Sequence, residues 1–238
     1  MKHKINLCVY VLLFWQLISY YIDRQAILPY PKDVFLKMIT MLGDLSFYTT
    51  IFITLSHVLI VVGMSILIAF LLAYLSFIKP VIEEYVSLIL SFIQAIPNIS
   101  YIILVMVWSS SLLTVYIVLF LVVFPLLYNN FIEGFKCIDQ DLNDMIILYH
   151  PPLFDKLWNA YLPLIQPSLL SGIKSSLSLG VKVGVMAEIL AALPYGVGRE
   201  IQFARIQVDM VGVFAWTLWI VFMIMLIEAF LNNAIKRK

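Results

Sequence analysis

Six apolar stretches, each close to the roughly 20 residues that cross a bilayer, leave this 238-residue chain few folds to choose from. They lie near 5–22, 50–78, 85–108, 112–132, 168–193 and 211–232. Lipid offers backbone polar groups no water, so segments of this kind cross as helices. The chain is 63% hydrophobic and 12% charged, where soluble domains carry about a quarter charged residues. A soluble domain is thereby excluded. The expected fold is an all-α membrane protein of about six transmembrane helices, one domain over 1–238. The second stretch exceeds the bilayer and is expected to tilt or protrude. The third contains Pro97, which removes a backbone donor and breaks the helix where protein or a wet cavity must cover it.

Met1-Lys2-His3-Lys4 precedes the first apolar run as in a signal peptide, but no small-x-small cleavage site follows. The run reads as an uncleaved first transmembrane helix. After it, Pro29 and Pro31 punctuate a turn, and Asp33 caps a short interfacial helix to about Leu42. With the N-terminus inside, one side collects Lys2, Lys4, Lys79, Lys136, Lys156, Lys236, Arg237 and Lys238. The other holds Arg24, Lys32, Lys37, Arg199 and Arg205. This bias puts both termini, and the loop 133–165, in the cytoplasm.

A net charge of +1 gives no hint of a nucleic-acid partner. Cys8 and Cys137 read as free thiols. His3, His57 and His150 are scattered, so no metal spacing and no nucleophile–base pair is found, and no catalytic residue is expected. No Gly-rich phosphate loop ends in Gly-Lys-Ser/Thr, so the chain is not itself an ATPase.

The longest polar interruption, Asp139 to Pro163, is unusual in such a chain. Leu142, Met145, Ile146 and Tyr149 share one helical face. Pro151-Pro152 force a turn, and Leu157, Trp158 and Tyr161 follow at helical spacing until Pro163 ends the second helix. Two short amphipathic helices make a compact knob. Its aromatic face either fills a groove on a soluble partner or caps the membrane bundle from below.

The knob resembles the coupling loop of ABC importer permeases, whose signature is Glu-Ala-Ala, three residues, Gly, nine residues, Ile-x-Leu-Pro. Asp144 falls at the Glu position, Met145-Ile146 at the Ala pair, His150 at the Gly, Ala160 at the Ile, and Leu162-Pro163 match the ending. Leu28-Pro29-Tyr30-Pro31 resembles a Leu-Pro-x-Pro segment of permeases of the nitrate, sulfonate and taurine type. Ile93-Gln94-Ala95-Ile96-Pro97 is similar to their Arg-Pro-Ile-Pro stretch, and Gly196-Val197-Gly198 to the Gly-x-Gly after their fifth helix. The ordered set covers about residues 27–232. The shortened Asp144, the bulky Met145-Ile146 and the His150-Pro151-Pro152 run depart from the signature, so the turn is expected to be rebuilt around the prolines.

The resemblance implies a type I importer permease in a bacterial inner membrane. It implies cytoplasmic ABC ATPase subunits that bind ATP and Mg, an extracytoplasmic substrate-binding protein, and a second permease copy, a homodimer in the plainest case. The chain itself would carry no cofactor. Asp144, Met145, Ile146, His150, Leu157, Trp158, Leu162 and Pro163 would couple to the ATPase. The substrate would be a small anion such as nitrate or a sulfonate, or a heterocycle such as a thiamine-precursor pyrimidine or riboflavin.

Charges within a span face protein or water, because lipid costs them at least about 2.5–3.5 kcal/mol. Lys182 reads as a pathway cation or one half of a structural ion pair. Glu188 lies about 240° round the helix from it, on another face. It either pairs with a neighbouring helix or lines the outer pathway. Lys174 snorkels. Gln94, Pro97 and Asn98 form a broken-helix site where freed backbone groups can meet a solute. His57 reads as a hydrogen-bonded bundle residue. The alternative to an importer subunit is an ion-coupled secondary carrier resting on Lys182 and Glu188. The absence of an inverted repeat counts against it.

Overall fold

The computed structural model describes residues 2–149 and 151–236, mostly helical with short connections and no strand among them. His150, the residue at the Gly position of the loop signature, lies outside the described residues.

Helix α1 spans Lys2–Ile22, α2 Pro31–Met41, α3 Leu45–Ile78, α4 Pro80–Ala95, α5 Asn98–Trp108 and α6 Ser111–Lys136. The knob opens with α7, Gln140–Leu148. The short α8, Leu153–Asp155, passes through a π-helical turn, Lys156–Tyr161, into α9, Leu162–Leu190. Helix α10, Val197–Ile206, and α11, Met210–Lys236, complete the chain.

Among the described residues, α3, α6 and α11 are long and apolar enough to cross a membrane, and the pair α4–α5 would make a fourth. The expected six are therefore not reached by length and apolarity alone. In α1 the described side chains cover only Val9–Ile22, an apolar stretch. Helix α9 has the length, but Ser, Pro and Gln residues and three charges dilute it. The third stretch is not one straight helix: α4 and α5 meet at Ile96-Pro97 with a 94° bend, the geometry of a broken span or of a re-entrant loop.

Pro163 was expected to end the second knob helix. It instead sits in the first turn of α9, directly after the π-helical turn. The second half of the knob is thus the wound-up start of α9, not a separate helix.

Short polar caps fix the ends. Asp44 caps α3 by accepting from the Ser46 N–H at 2.9 Å. That backbone bond holds its carboxyl below the usual carboxylate range. Trp15 and Ser19 of α1 both donate to the Pro29 carbonyl, at 3.1 and 3.0 Å, which pins the Leu28-Pro29-Tyr30-Pro31 turn. Lys136 pairs with Glu83 and ties the end of α6 to the start of α4.

The core lies where α3, α6 and α9 meet, built on Val58, Val62, Leu119, Val123, Leu127 and Phe131. Lipid is as apolar as these side chains, so close packing, not water exclusion, must join the helices. Small residues on α9 permit it. A Cβ on Gly180 or Gly184 would come within 3.1 Å of Val58. Gly134 of α6 faces Ser168, and Gly172 of α9 faces Asn130, with a Cβ at Gly172 reaching 2.9 Å from the Asn130 Cβ. Gly172→Leu is expected to cost about 1–3 kcal/mol through overpacking. The check is the denaturation midpoint of the purified chain in detergent, and an unmoved midpoint would mean that the seam yields.

Candidate functional site

Two clusters stand at opposite ends of α9. The knob is the first. Asp139 caps α7 by accepting from the Asp141 N–H at 2.9 Å. Tyr161, 1% exposed, is enclosed by Tyr74, Phe77 and Phe135. Its hydroxyl donates to Asn143 Oδ1 at 2.7 Å, which joins α7 to the root of α9. The buried side of the knob is therefore held to the bundle.

Its outer side is apolar and open. Met145 is exposed, Tyr149 is 88% exposed, and Trp158 is 57% exposed and stacked on Phe154 with centroids 6.0 Å apart. A shallow groove of about 330 Å³ runs between Met145, Ile146, Tyr149, Asp155 and Ala160. Aromatic and Met side chains are thus left in the open on one face. Asp144 is exposed beside them, Leu157 and Leu162 are half-buried, and Pro163 is exposed. Of the predicted coupling set, Met145 and Ile146 line this groove, while Leu162 and Pro163 lie in the first turn of α9.

The second cluster surrounds Glu188, whose side chain is 0% exposed. A buried carboxylate is tolerable only when donors replace its water. Thr54 Oγ1 donates to Oε2 at 3.0 Å, the Gly198 N–H to Oε2 at 2.9 Å, and His57 Nδ1 faces Oε1 at 3.1 Å. Thr54 Oγ1 also accepts from the Val197 N–H at 2.8 Å. Val197 and Gly198 open α10, so a carboxylate from α9 and a hydroxyl from α3 take up its otherwise unpaired first donors. Gly196 turns the chain at φ +93°, and a Cβ on Gly198 would lie 2.4 Å from the Glu188 Cβ. Only glycine fits there.

The predicted pathway residues are spread out. Lys182 is exposed on the outside of α9 and makes no hydrogen bond or ion pair among the described residues. Glu188 points the other way, into the bundle. Gln94, Pro97 and Asn98 are exposed at the α4–α5 bend. Lys174 donates to Asn232 Oδ1 at 2.9 Å and does not stand free.

Two participants escaped sequence reasoning. Thr54 sits one turn before His57 in a largely apolar helix, and that polar i, i+3 pair was its available signal. Glu228 of α11, half-buried, accepts from Ser178 at 2.7 Å, and a lone carboxylate in an apolar 27-residue helix was the signal. Among the described residues no group of three His, Cys, Asp or Glu is placed to hold a metal ion.

At the Glu188 end, α10 turns Arg199, Phe203 and Ile206 outward, with the guanidinium 5.8 Å from the Phe203 ring. Both ends of α9 therefore adjoin exposed apolar side chains.

No family model matches the chain. It is similar to the formylaminopyrimidine transport permease ThiX of Halalkalibacterium halodurans, 25% identical over 207 residues, 86% of this chain and 82% of the relative. It is similar to the taurine transport permease TauC of Escherichia coli, 22% identical over 209 residues, 84% and 74% of the two chains. A chain of Methanocaldococcus jannaschii assigned as an ABC transporter permease is 24% identical over 211 residues, 84% and 77%.

Proposed function

We propose that the chain is an ABC transport permease of the sulfonate and taurine type, the membrane-spanning subunit of an ATP-driven importer. The observation that carries this reading is the open aromatic face of the knob at the root of α9, positioned to dock on a soluble subunit. ATP and Mg would be bound by that cytoplasmic ATPase. Closure of the ATPase would move the knob through Asp144, Met145, Ile146, Leu157, Trp158, Leu162 and Pro163, and with it α9. Such coupling requires the nucleotide-loaded partner to favour one state of the permease over another. An extracytoplasmic binding protein would deliver the solute to the end that carries α10, and both termini would lie in the cytoplasm of a bacterium.

A second copy of the chain completes the pathway in this reading. The outward faces of α4 and α5 are apolar, with Leu88, Phe92, Ile103 and Val107 all exposed. Lys182 cannot face lipid cheaply, so it lines a wet passage or meets the partner copy. The substrate is a small solute, either an anion such as nitrate or a sulfonate or a heterocycle such as a thiamine-precursor pyrimidine or riboflavin. An unpaired lysine favours the anion. Lys182→Gln should then lower uptake of an anionic solute such as taurine by about tenfold, the worth of roughly 1.4 kcal/mol, and Lys182→Arg should restore much of it. Equal effects on taurine and on formylaminopyrimidine uptake would remove Lys182 from specificity.

The test of the whole reading is purification of the tagged chain from its host in mild detergent. Recovery of an ATPase that is lost when the knob is mutated supports it. A chain that comes alone and drives ion-coupled uptake in liposomes is a secondary carrier instead.

A further inference from the structure

We propose that Glu188 is a positioning residue that ties α10 to α9, so that movement of the knob reaches the opposite face of the membrane. The inference rests on the importer reading. It starts from the continuity of α9, which stays helical through the internal Pro167 for 29 residues, about 43 Å at 1.5 Å per residue. Its first turn grows directly out of the knob, where Tyr161 is buried and bonded to Asn143. Its last turn presents Glu188. Whatever displaces the knob therefore displaces a rod whose far end carries this carboxylate.

At that end the contacts are of two kinds. Val197 packs with Phe47, Val185 and Trp216, and apolar packing of this sort permits sliding. The hydrogen bonds do not. One carboxylate accepts from α3 through Thr54 and from α10 through Gly198, while Thr54 also takes the Val197 N–H. Gly196 and Gly198 leave space for this carboxylate and nothing larger. Three elements are thus fixed in rotation about a single group. The outward face of α10, with Arg199, Phe203 and Ile206, must follow α9 or break these bonds. Coupling of this kind is a difference in free energy between two arrangements, and it runs in both directions.

The test is amide hydrogen exchange on the chain assembled with its co-purified ATPase, with and without ATP plus vanadate. In the native chain, segments 140–161 and 197–206 should both change their exchange. In Glu188→Asp, too short to reach both helices, and in Thr54→Val, segment 140–161 should still respond while the response of 197–206 is lost. Glu188→Gln, which keeps the length and an accepting oxygen, should restore it. A response of about tenfold is expected in the native chain, the change in local opening that one charged hydrogen bond can produce. An undiminished response of 197–206 in both severed variants, or none in the native chain, overturns the proposal. So does a 197–206 segment already fully exchanged in those variants before nucleotide is added, since Glu188 would then be only a cap. If 140–161 itself ignores nucleotide in the native chain, the importer reading fails and not merely this inference.

Discussion

Glu188→Ala is expected to destabilise the protein by about 3–5 kcal/mol, the range for removing one partner from a buried charged network. The change strips the acceptor from Thr54 Oγ1, the Gly198 N–H and His57 at once. Each donor is buried, and an unsatisfied buried group costs roughly 1–3 kcal/mol. The carboxylate also fills the space that Gly196 and Gly198 leave open, so alanine adds a cavity. Glu188→Gln should cost far less, because its carbonyl can accept from Thr54 and Gly198 and its amide can donate to His57. Gly198→Ala should be as damaging as Glu188→Ala for the opposite reason. Its Cβ would lie 2.4 Å from the Glu188 Cβ and 2.8 Å from the Ile189 backbone nitrogen, which cannot retreat. Denaturation midpoints of the four proteins in one detergent decide the matter. If Glu188→Ala melts with the parent chain, the carboxylate contributes nothing to the fold, and the hydrogen-bonded cluster is incidental.

Much of this arrangement could be read from residue order, and the parts that could not have identifiable causes. The apolar stretches mark the long helices within a few residues, since helix length in lipid is set by hydropathy more than by tertiary detail. Pro97 marks the break between α4 and α5, although the size of the bend depends on packing that no local pattern contains. Pro163 misleads because a proline that ends one helix and one that opens the next look alike in sequence. Only the π-helical winding at Lys156–Tyr161 shows that the backbone continues through. The angular argument separates Lys182 from Glu188, but it cannot say which of them faces out. That depends on Thr54 and His57, which lie more than 130 positions away along the chain. Glu228 and Ser178 meet for the same non-local reason.

The second large effect is expected at the other end of α9. Trp158→Ala should weaken binding of the ATPase by about 2–4 kcal/mol, the cost of losing a central aromatic anchor. That is roughly 30- to 1,000-fold in affinity. The ring is more than half exposed and, among the described residues, stacks only on Phe154, so the isolated permease should keep its stability. Tyr161→Phe makes the informative contrast. It removes one hydrogen bond to Asn143 from a buried ring, a loss of about 0.5–1.5 kcal/mol. It should lower the denaturation midpoint while leaving the outer face of the knob intact. The two variants separate a surface that binds from a root that holds. Affinity can be read by titrating the co-purified ATPase onto the immobilised permease. Equal binding by Trp158→Ala and the parent would mean that the exposed aromatic face serves another purpose, and that the ATPase grips the knob through Asp144 and its neighbours. Loss of binding in Tyr161→Phe alone would mean that the orientation of the knob, not its surface, decides docking.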